Sequence, residues 1–575
     1  MLKRGIISVL VVCILVGMLS FQEKVYANSD DVIVTINPTM DNREINKILE
    51  TPHEGTLFVK AQDGTYDNLH GTLFIHSNTS FIASDKALFI NGGSKNDSSK
   101  RYGPFIQSVI EYDDEGDYLE VHDITIRGGQ WDSSNLSKDE GTESFRFVHC
   151  RNVTMDSVTV CNVPKKSHLV VLAGVKGALI KNCNFYGMYN WNSKNLSTIE
   201  CKEAVQLDVT HNNTVVPVQA KKINDSLWDD TPCSDVTITG CSFHEFTRGI
   251  GSHTAVAGVF HNNITISGNY FYNISDTAMK LFNYTNAVIE GNYLGVSKAG
   301  KQGSVTEGIL VYSSLNESNE SGYYFQPNSG QKKIILPENY NIKICNNLIS
   351  NTKERMNNGK HLWGDAIRVA GSDSRPLIGV TISGNTISNC ERYGVFASHT
   401  KDLIINGKNT ITNINVDGIK VIDSDGSIIS YNTVQKTKQC GIKCTNGTVA
   451  KIHHNTIENY GLEKDETFGI YVYKSAAKSA DTAVKIYSNK VTGKGSGKKK
   501  IAIKVSTSPY AVISSNVVNK PGAEGIMTYK CPNVKIKKNT IKTTSSHIAI
   551  WVCQCEKYSI IENSISGTDK KYKIN

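Results

Sequence analysis

The stretch TISGNTI, residues 381–387, brackets a tight polar turn with apolar residues and places Asn385 at its corner. The pattern returns as KNTI at Asn409, YNTV at Asn432, HNTI at Asn455, SNKV at Asn489, SNVV at Asn516, KNTI at Asn539 and ENSI at Asn563. Upstream it reads GNYF at Asn269, GNYL at Asn292 and NNLI at Asn347. The asparagines are 23 apart from 269 to 292, then 24, 23 and 23 apart from 385 to 455, and 23 and 24 apart from 516 to 563. A fixed step of this size marks a solenoid, in which each repeat contacts mainly its neighbours.

The apolar residues flanking each turn are β-branched or aromatic, which suits short strands with one face inward. Asparagine fits the corner because it tolerates a left-handed backbone and its amide bonds to nearby backbone. Stacked coil on coil, such asparagines form an internal ladder. A second strand recurs about midway between them: EAVQLD (203–208), RGIGSH (248–253), TAMKLF (277–282), EGILVY (307–312), DAIRVA (365–370), DGIKVI (417–422), FGIYVY (468–473) and IAIWVC (548–553). Its third and fifth positions are nearly always apolar and point in, so the fourth and sixth point out. Equivalent residues on consecutive coils then lie about 4.8 Å apart.

By these residues the chain resembles the right-handed parallel β-helix proteins of the pectin-lyase-like superfamily, over roughly residues 55–567. The implied fold is all-β, a three-sheet parallel solenoid. A helical solenoid requires longer apolar runs of period 3.6, which the repeats lack. TMDNREINKILE (39–50) reads as an amphipathic helix with Ile45, Ile48 and Leu49 on one face. Similar helices cap the first coil in this superfamily, where an open end exposes core and strand edges. GTLFVKAQDGTYDN (55–68) resembles a first coil.

Residues 1–27 read as a secretory signal, with Lys3 and Arg4 ahead of an apolar core and Val25-Tyr26-Ala27 as the cleavage site. Residues 28–54 form the lead and cap, and 55–575 a single β-helix domain with long loops within 190–365 and regular coils over 380–567. The mature protein is expected to be secreted, with no stable membrane insertion and no nucleic-acid partner. Loss of the signal lowers the net charge from +8 to +6, a mild excess that admits an acidic partner. The tract KGSGKKK (494–500) reads as a solvated loop. Thirteen cysteines remain without Cys13. Cys183 and Cys241 fall at ladder positions as small buried residues, and Cys201 and Cys233 are candidates for a bridge.

Two insertions follow the same strand position on different coils. One runs over 211–235 with Trp228, Asp229 and Asp230, the other over 313–340 with Tyr323, Tyr324 and Phe325. Projecting from one side, they wall a groove of about 14 Å, three strand spacings. Alternatively their aromatics pack onto the loop bases. Outward positions on the groove floor give Arg146, His168 with Val170, Gln206 and Asp208, His253, Lys280 and Phe282, Leu310 and Tyr312, and Arg368. Asp208 and His253 share a position on adjacent coils, a carboxylate beside an imidazole as acid–base chemistry uses it. Arg248 and Glu203 stand at strand starts. The superfamily's polygalacturonases carry NTD, DD, GHG and RIK motifs on successive coils, and this chain has no such series.

The leading expectation is a secreted enzyme, hydrolase or lyase, acting on a polysaccharide, with acidic polymers among the candidates. Its expected catalytic residues are Asp208, His253 and Lys280; Arg146, Gln206, Trp228, Arg248, Tyr312, Tyr323, Tyr324 and Arg368 bind substrate. The residues establish no cofactor, and calcium on Asp208, Asp229 and Asp230 is the option that resemblance to pectate lyases raises. The rival is a non-catalytic glycan-binding or adhesion protein using the same groove or the Lys- and Tyr-rich C-terminal face.

Overall fold

The computed structural model describes residues 30–575 except 94–101, 111–115, 120, 194–199, 213–226, 314–323, 326, 331–334, 358–359, 363, 463–465, 495–498 and 545. The expected signal peptide, Tyr323 and most of the KGSGKKK tract lie outside the described residues. Nearly all described strands belong to two parallel sheets of 19 and 33 strands. The larger consists of two strand series on separate faces that share one strand, Tyr270–Phe282. Each coil therefore visits three faces in turn, as in Val380–Ser383, Thr386–Cys390 and Val395–Ser398.

The asparagines form the ladder that their spacing predicts, at the corner between the first and second faces. Asn385 donates from its amide nitrogen (2.9 Å) and its Nδ2 (3.0 Å) to Asn409 Oδ1, and from Nδ2 to the Ile344 carbonyl (2.9 Å). The same bonds repeat from Asn269 through Asn563. The left-handed residue, however, is the one before each ladder asparagine: Gly384 has φ 67°, Lys408 68° and Tyr431 57°. The bend is made there, which frees the asparagine amide to point along the axis. Asparagine is chosen for its side-chain amide, since every buried polar group at this corner needs a partner. Cys183 and Cys241 continue the ladder upstream, with the Cys241 amide donating to Asn269 Oδ1 (2.9 Å).

On the third face a strand begins with an outward residue and then two inward ones, the first small in coils such as Gly308-Ile309 but Leu169 in coil 168–173. Gly308 and Ile309 both donate to the next coil, at Asp365 and Ala366. Two successive inward residues break the alternation, so positions one, four and six all face out. The small residue is steric: a Cβ on Gly308 would lie 2.2 Å from the Ala366 carbonyl oxygen.

The helix runs Asn42–Leu49, with Asp41 and Glu44 forming a reciprocal capping box and Ile45 and Leu49 buried. Asn46 closes the adjacent strand edge, donating to the Thr72 carbonyl and accepting from the Phe74 amide. A strand not expected from the sequence, Val32–Ile36, precedes the helix and pairs with Leu57–Ala61. The thirteen described cysteines form no disulfide, so Cys201 and Cys233 are not bridged. No described helix is long and apolar enough to cross a membrane.

Candidate functional site

The third face between coils 143–148 and 365–370 carries a buried row of charges at its strand starts. In register, Glu143 is followed by His168, Glu203 by Arg248, and Thr277 by Glu307. Glu203 is fully buried and anchors the row. Its Oε1 lies 2.9 Å from Arg248 Nη1, and its Oε2 lies 2.8 Å from His253 Nδ1 and 3.7 Å from His168 Nδ1. Arg248 Nε also donates to Asp276 at 2.5 Å. Two coils on, Arg368 Nε lies 2.9 Å from Glu307 Oε1 and donates to Asp365.

Burial sets the protonation states here. It pushes the Glu203 carboxyl up, but His253 and Arg248 outweigh it and hold the group well below the usual carboxylate range. It pushes His168 and His253 down, against the pull of the neighbouring Glu203 carboxylate. Asp208 is lifted by burial to about 7, against the hydrogen bonds from Thr254 and Val209. Glu307 is likewise lifted to about 7, against the pull of Arg368. Arg248 keeps its charge despite burial, because Asp276 and Glu203 flank it.

The carboxylate addressed by His253 Nδ1 is Glu203 rather than Asp208. Asp208 Oδ1 instead accepts the amides of Thr254 (2.8 Å) and Val209 (3.2 Å), and Oδ2 accepts from Gln206 Nε2. Gln206 links the two, its Nε2 also lying 3.4 Å from His253 Nδ1. The chain turns after Gly251, where the strand ends, and this carries the imidazole back over Glu203. Val170 points into the core; Val171 and Ala173 are outward, a slip of one residue caused by the doubled inward positions.

Arg146 is buried and pairs with Glu143 on its own strand. Trp228 packs with Leu227 over Val171 and Ala173, onto the base of its loop. Lys280 lies 4.9 Å from the Phe282 ring centre, and Tyr312 stacks on Phe282 at 5.2 Å. The backbone of Tyr324 and Phe325 pairs with Ala255 and Val256, just beyond His253. The two insertions are joined: Asn328 Nδ2 donates to the His211 (2.8 Å) and Trp228 (2.6 Å) carbonyls, and its amide to Asp230 Oδ2. Asp229 is engaged by the Asp117 and Thr231 amides and the Thr210 hydroxyl. Among the described residues, Asp208, Asp229 and Asp230 do not bring their carboxylate oxygens within 4.8 Å of one another as a set. Sequence reasoning ranked Glu203 low and passed over Asp276, Glu307 and Asp365. The available signal was the charge recurring at the first position of EAVQLD, RGIGSH, EGILVY and DAIRVA.

Downstream the face changes character. One outward column reads Lys280, Leu310, Arg368, Phe396, Lys420, Lys443, Tyr471, Lys504, Met527, Trp551, Lys573. Its cations lie on rings: Arg368 on Phe396 (5.0 Å), Lys420 on Tyr393 (4.8 Å), Lys504 on Phe468 (4.8 Å) and Lys573 on Trp551 (4.2 Å). From Phe396 on, neither this column nor its neighbour, Ser398 to Cys553, contains an acid.

The family model described as right handed beta helix region matches residues 334–499. That described as periplasmic copper-binding protein (NosD) matches 462–574. The chain is a right-handed parallel β-helix. Both matched regions of this β-helix lie beyond the Glu203 cluster. Plasmin and fibronectin-binding protein A of Streptococcus pneumoniae is 24% identical over 409 residues, 66% of the β-helix chain and 51% of that protein. The chain thus spans about half the length of the curated relative it matches. The structure of the Streptococcus pneumoniae surface protein and adhesin PfbA superposes with a TM-score of 0.51 at 19% identity, covering 76% of this chain and 94% of that one. A Family 28 exopolygalacturonase of Yersinia enterocolitica gives a TM-score of 0.41 at 12% identity, covering 71% and 75%.

Proposed function

We propose that this β-helix is an extracellular binding protein that holds an acidic polysaccharide along its third face. The observation that carries this is the cation–aromatic column from Lys280 to Lys573. Its ten register steps span about 48 Å at the strand spacing. Rings present flat apolar area to sugar faces, and cations resting on them are pre-positioned for carboxylates or sulfates. The rigid coils mean little ordering is needed on binding, which favours affinity. The similarity to a surface adhesin agrees with a binding role, and that relative's name makes extracellular proteins the competing ligand.

The test is binding of the mature protein to charged and neutral polysaccharides at rising salt. Saturable binding of the acidic polymers, weakened by salt and by Lys420→Ser with Lys443→Ser, is expected. Equal binding of neutral polymers, or no change in the double variant, overturns the reading.

A second reading, cleavage of the same polymer, is favoured by the charge cluster at the head of the column. Glu203 is ionised, Asp208 and Glu307 titrate near 7, and Lys280 lies on the coil between those of His253 and Glu307. Groups with separated pKa values suit acid–base work. New reducing ends report hydrolysis, and absorbance of an unsaturated uronate reports elimination. Products that vanish with Glu203→Gln or His253→Gln would promote this reading.

A further inference from the structure

We propose that His168, Glu203 and His253 form a binding site for one divalent transition-metal ion of the zinc type. One ligand atom of each residue lies within 4.8 Å of the others, and His168, Glu203 and His253 are 4%, 0% and 7% exposed. They come from three successive coils, so the rigid register of the sheet fixes their separation. Glu203 Oε2 is buried and receives no well-directed hydrogen bond, although two imidazoles flank it. A buried carboxylate oxygen in that position requires a partner.

The surroundings have the character of a metal's outer shell. The Nδ1–H of His168 donates to the Glu203 carbonyl at 2.9 Å, which leaves its Nε2 carrying the lone pair. Arg248 holds Glu203 Oε1 and is itself held by Asp276, so the carboxylate cannot swing away. Glu203 and Asp276 both face Arg248, so the carboxylate side of the pocket is held in place by a paired cation. Two imidazoles and one carboxylate suit zinc and its neighbours better than calcium or magnesium, which take oxygen cages.

The test uses the tag-free mature chain after chelator treatment, titrated with Zn²⁺ alone by calorimetry. Saturable uptake of one equivalent is expected, with affinity falling by at least about tenfold in His168→Asn and in His253→Gln. A crystal soaked in zinc is expected to show an anomalous-difference peak between the three side chains, which needs no variant. Absence of saturable uptake overturns the site. So does undiminished uptake by the folded double variant, or a peak found only elsewhere, such as at His453 and His454. Glycan binding measured on the metal-free protein separates this outcome from that of the Lys280–Lys573 column.

Discussion

The two halves of the solenoid solve the same stacking problem with different chemistry. Upstream of about residue 300 the core is aromatic: Phe89 lies on Trp131 at 4.0 Å, and Phe185, Phe243 and Phe271 stack in series. Beyond Val380 it is an aliphatic ladder, Ile387, Ile411, Val434, Ile457, Val491, Val518 and Ile541, all fully buried. The outward face differs in the same way. Upstream it buries Glu203, Arg248, Asp276 and Glu307; downstream its charges rest half-exposed on rings. A coil that repeats closely places any residue beside its own equivalent. Like charges then stack, as Lys420 and Lys443 do, and the regular half rests its cations on rings, whereas the irregular half can alternate sign from coil to coil.

The largest predicted effect breaks the buried half of this contrast. Arg248→Ala leaves Glu203 and Asp276 facing each other without their cation. Removing one partner of a buried pair destabilises by about 3–5 kcal/mol. Lys420→Ala, on the downstream face, should change stability by no more than about 0.5 kcal/mol, as surface substitutions do. Denaturant unfolding of both variants checks the difference, and equal effects would remove the distinction between the faces.

The next effect concerns pH. Asp208 titrates at about 7 in the folded chain and near 3.9 unfolded, so the folded state binds more protons between those values. Stability therefore falls as pH rises through that window. Asp208→Asn should abolish this share, on the order of 3 kcal/mol between pH 4 and 8. The asparagine oxygen can still accept the Thr254 and Val209 amides. His168 and His253, pushed down by burial, act the other way, weakening the fold as pH drops below their unfolded value near 6.5. Melting curves of wild type and variant against pH isolate the Asp208 share, and parallel curves would reject the buried titration.

A smaller effect compares ladder residues. Asn432→Ala removes three bonds: Nδ2 to Asn455, Nδ2 to the Ile405 carbonyl, and the one Oδ1 accepts from Asn409 Nδ2, which keeps the Ile382 and Asn406 carbonyls. About 2–3 kcal/mol is expected from stranded buried groups. Cys241→Ala at the equivalent upstream position loses mainly weak sulfur contacts, and about 1 kcal/mol or less is expected. Chemical denaturation of the pair shows whether the ladder needs the amide specifically.

These contrasts explain what could be read from the chain. Asn385 and its equivalents were legible because their spacing and their flanking apolar residues point to one fold. The backbone sign at the turn was not, since Gly384, Lys408 and Tyr431 share no side-chain chemistry and only the geometry marks them. The floor of the site was legible where alternation holds, at Gln206, Lys280 and Arg368. It failed at Val170 because two neighbours, Leu169 and Val170, both point inward. Asp208 drew attention through its position beside His253. The turn after Gly251, which brings His253 to Glu203, leaves no periodic trace. Joining of the two insertions by Asn328 is likewise a long-range contact between segments without repeats.

The gentlest prediction concerns the downstream column. Lys420→Ser with Lys443→Ser removes two cations on neighbouring coils and leaves the Ile419 and Ile442 core untouched. Stability should stay within about 0.5 kcal/mol of wild type. Affinity for an acidic polysaccharide at low salt should fall about tenfold, equivalent to about 1.4 kcal/mol. Because exposed charges are screened within a Debye length of about 8 Å at physiological salt, wild type and variant should converge as salt rises. Convergence assigns the difference to charge. A constant gap would point to lost packing of the lysine stems on Tyr393 and Tyr471, and the column would then be read as an aromatic surface with lysines as its edging.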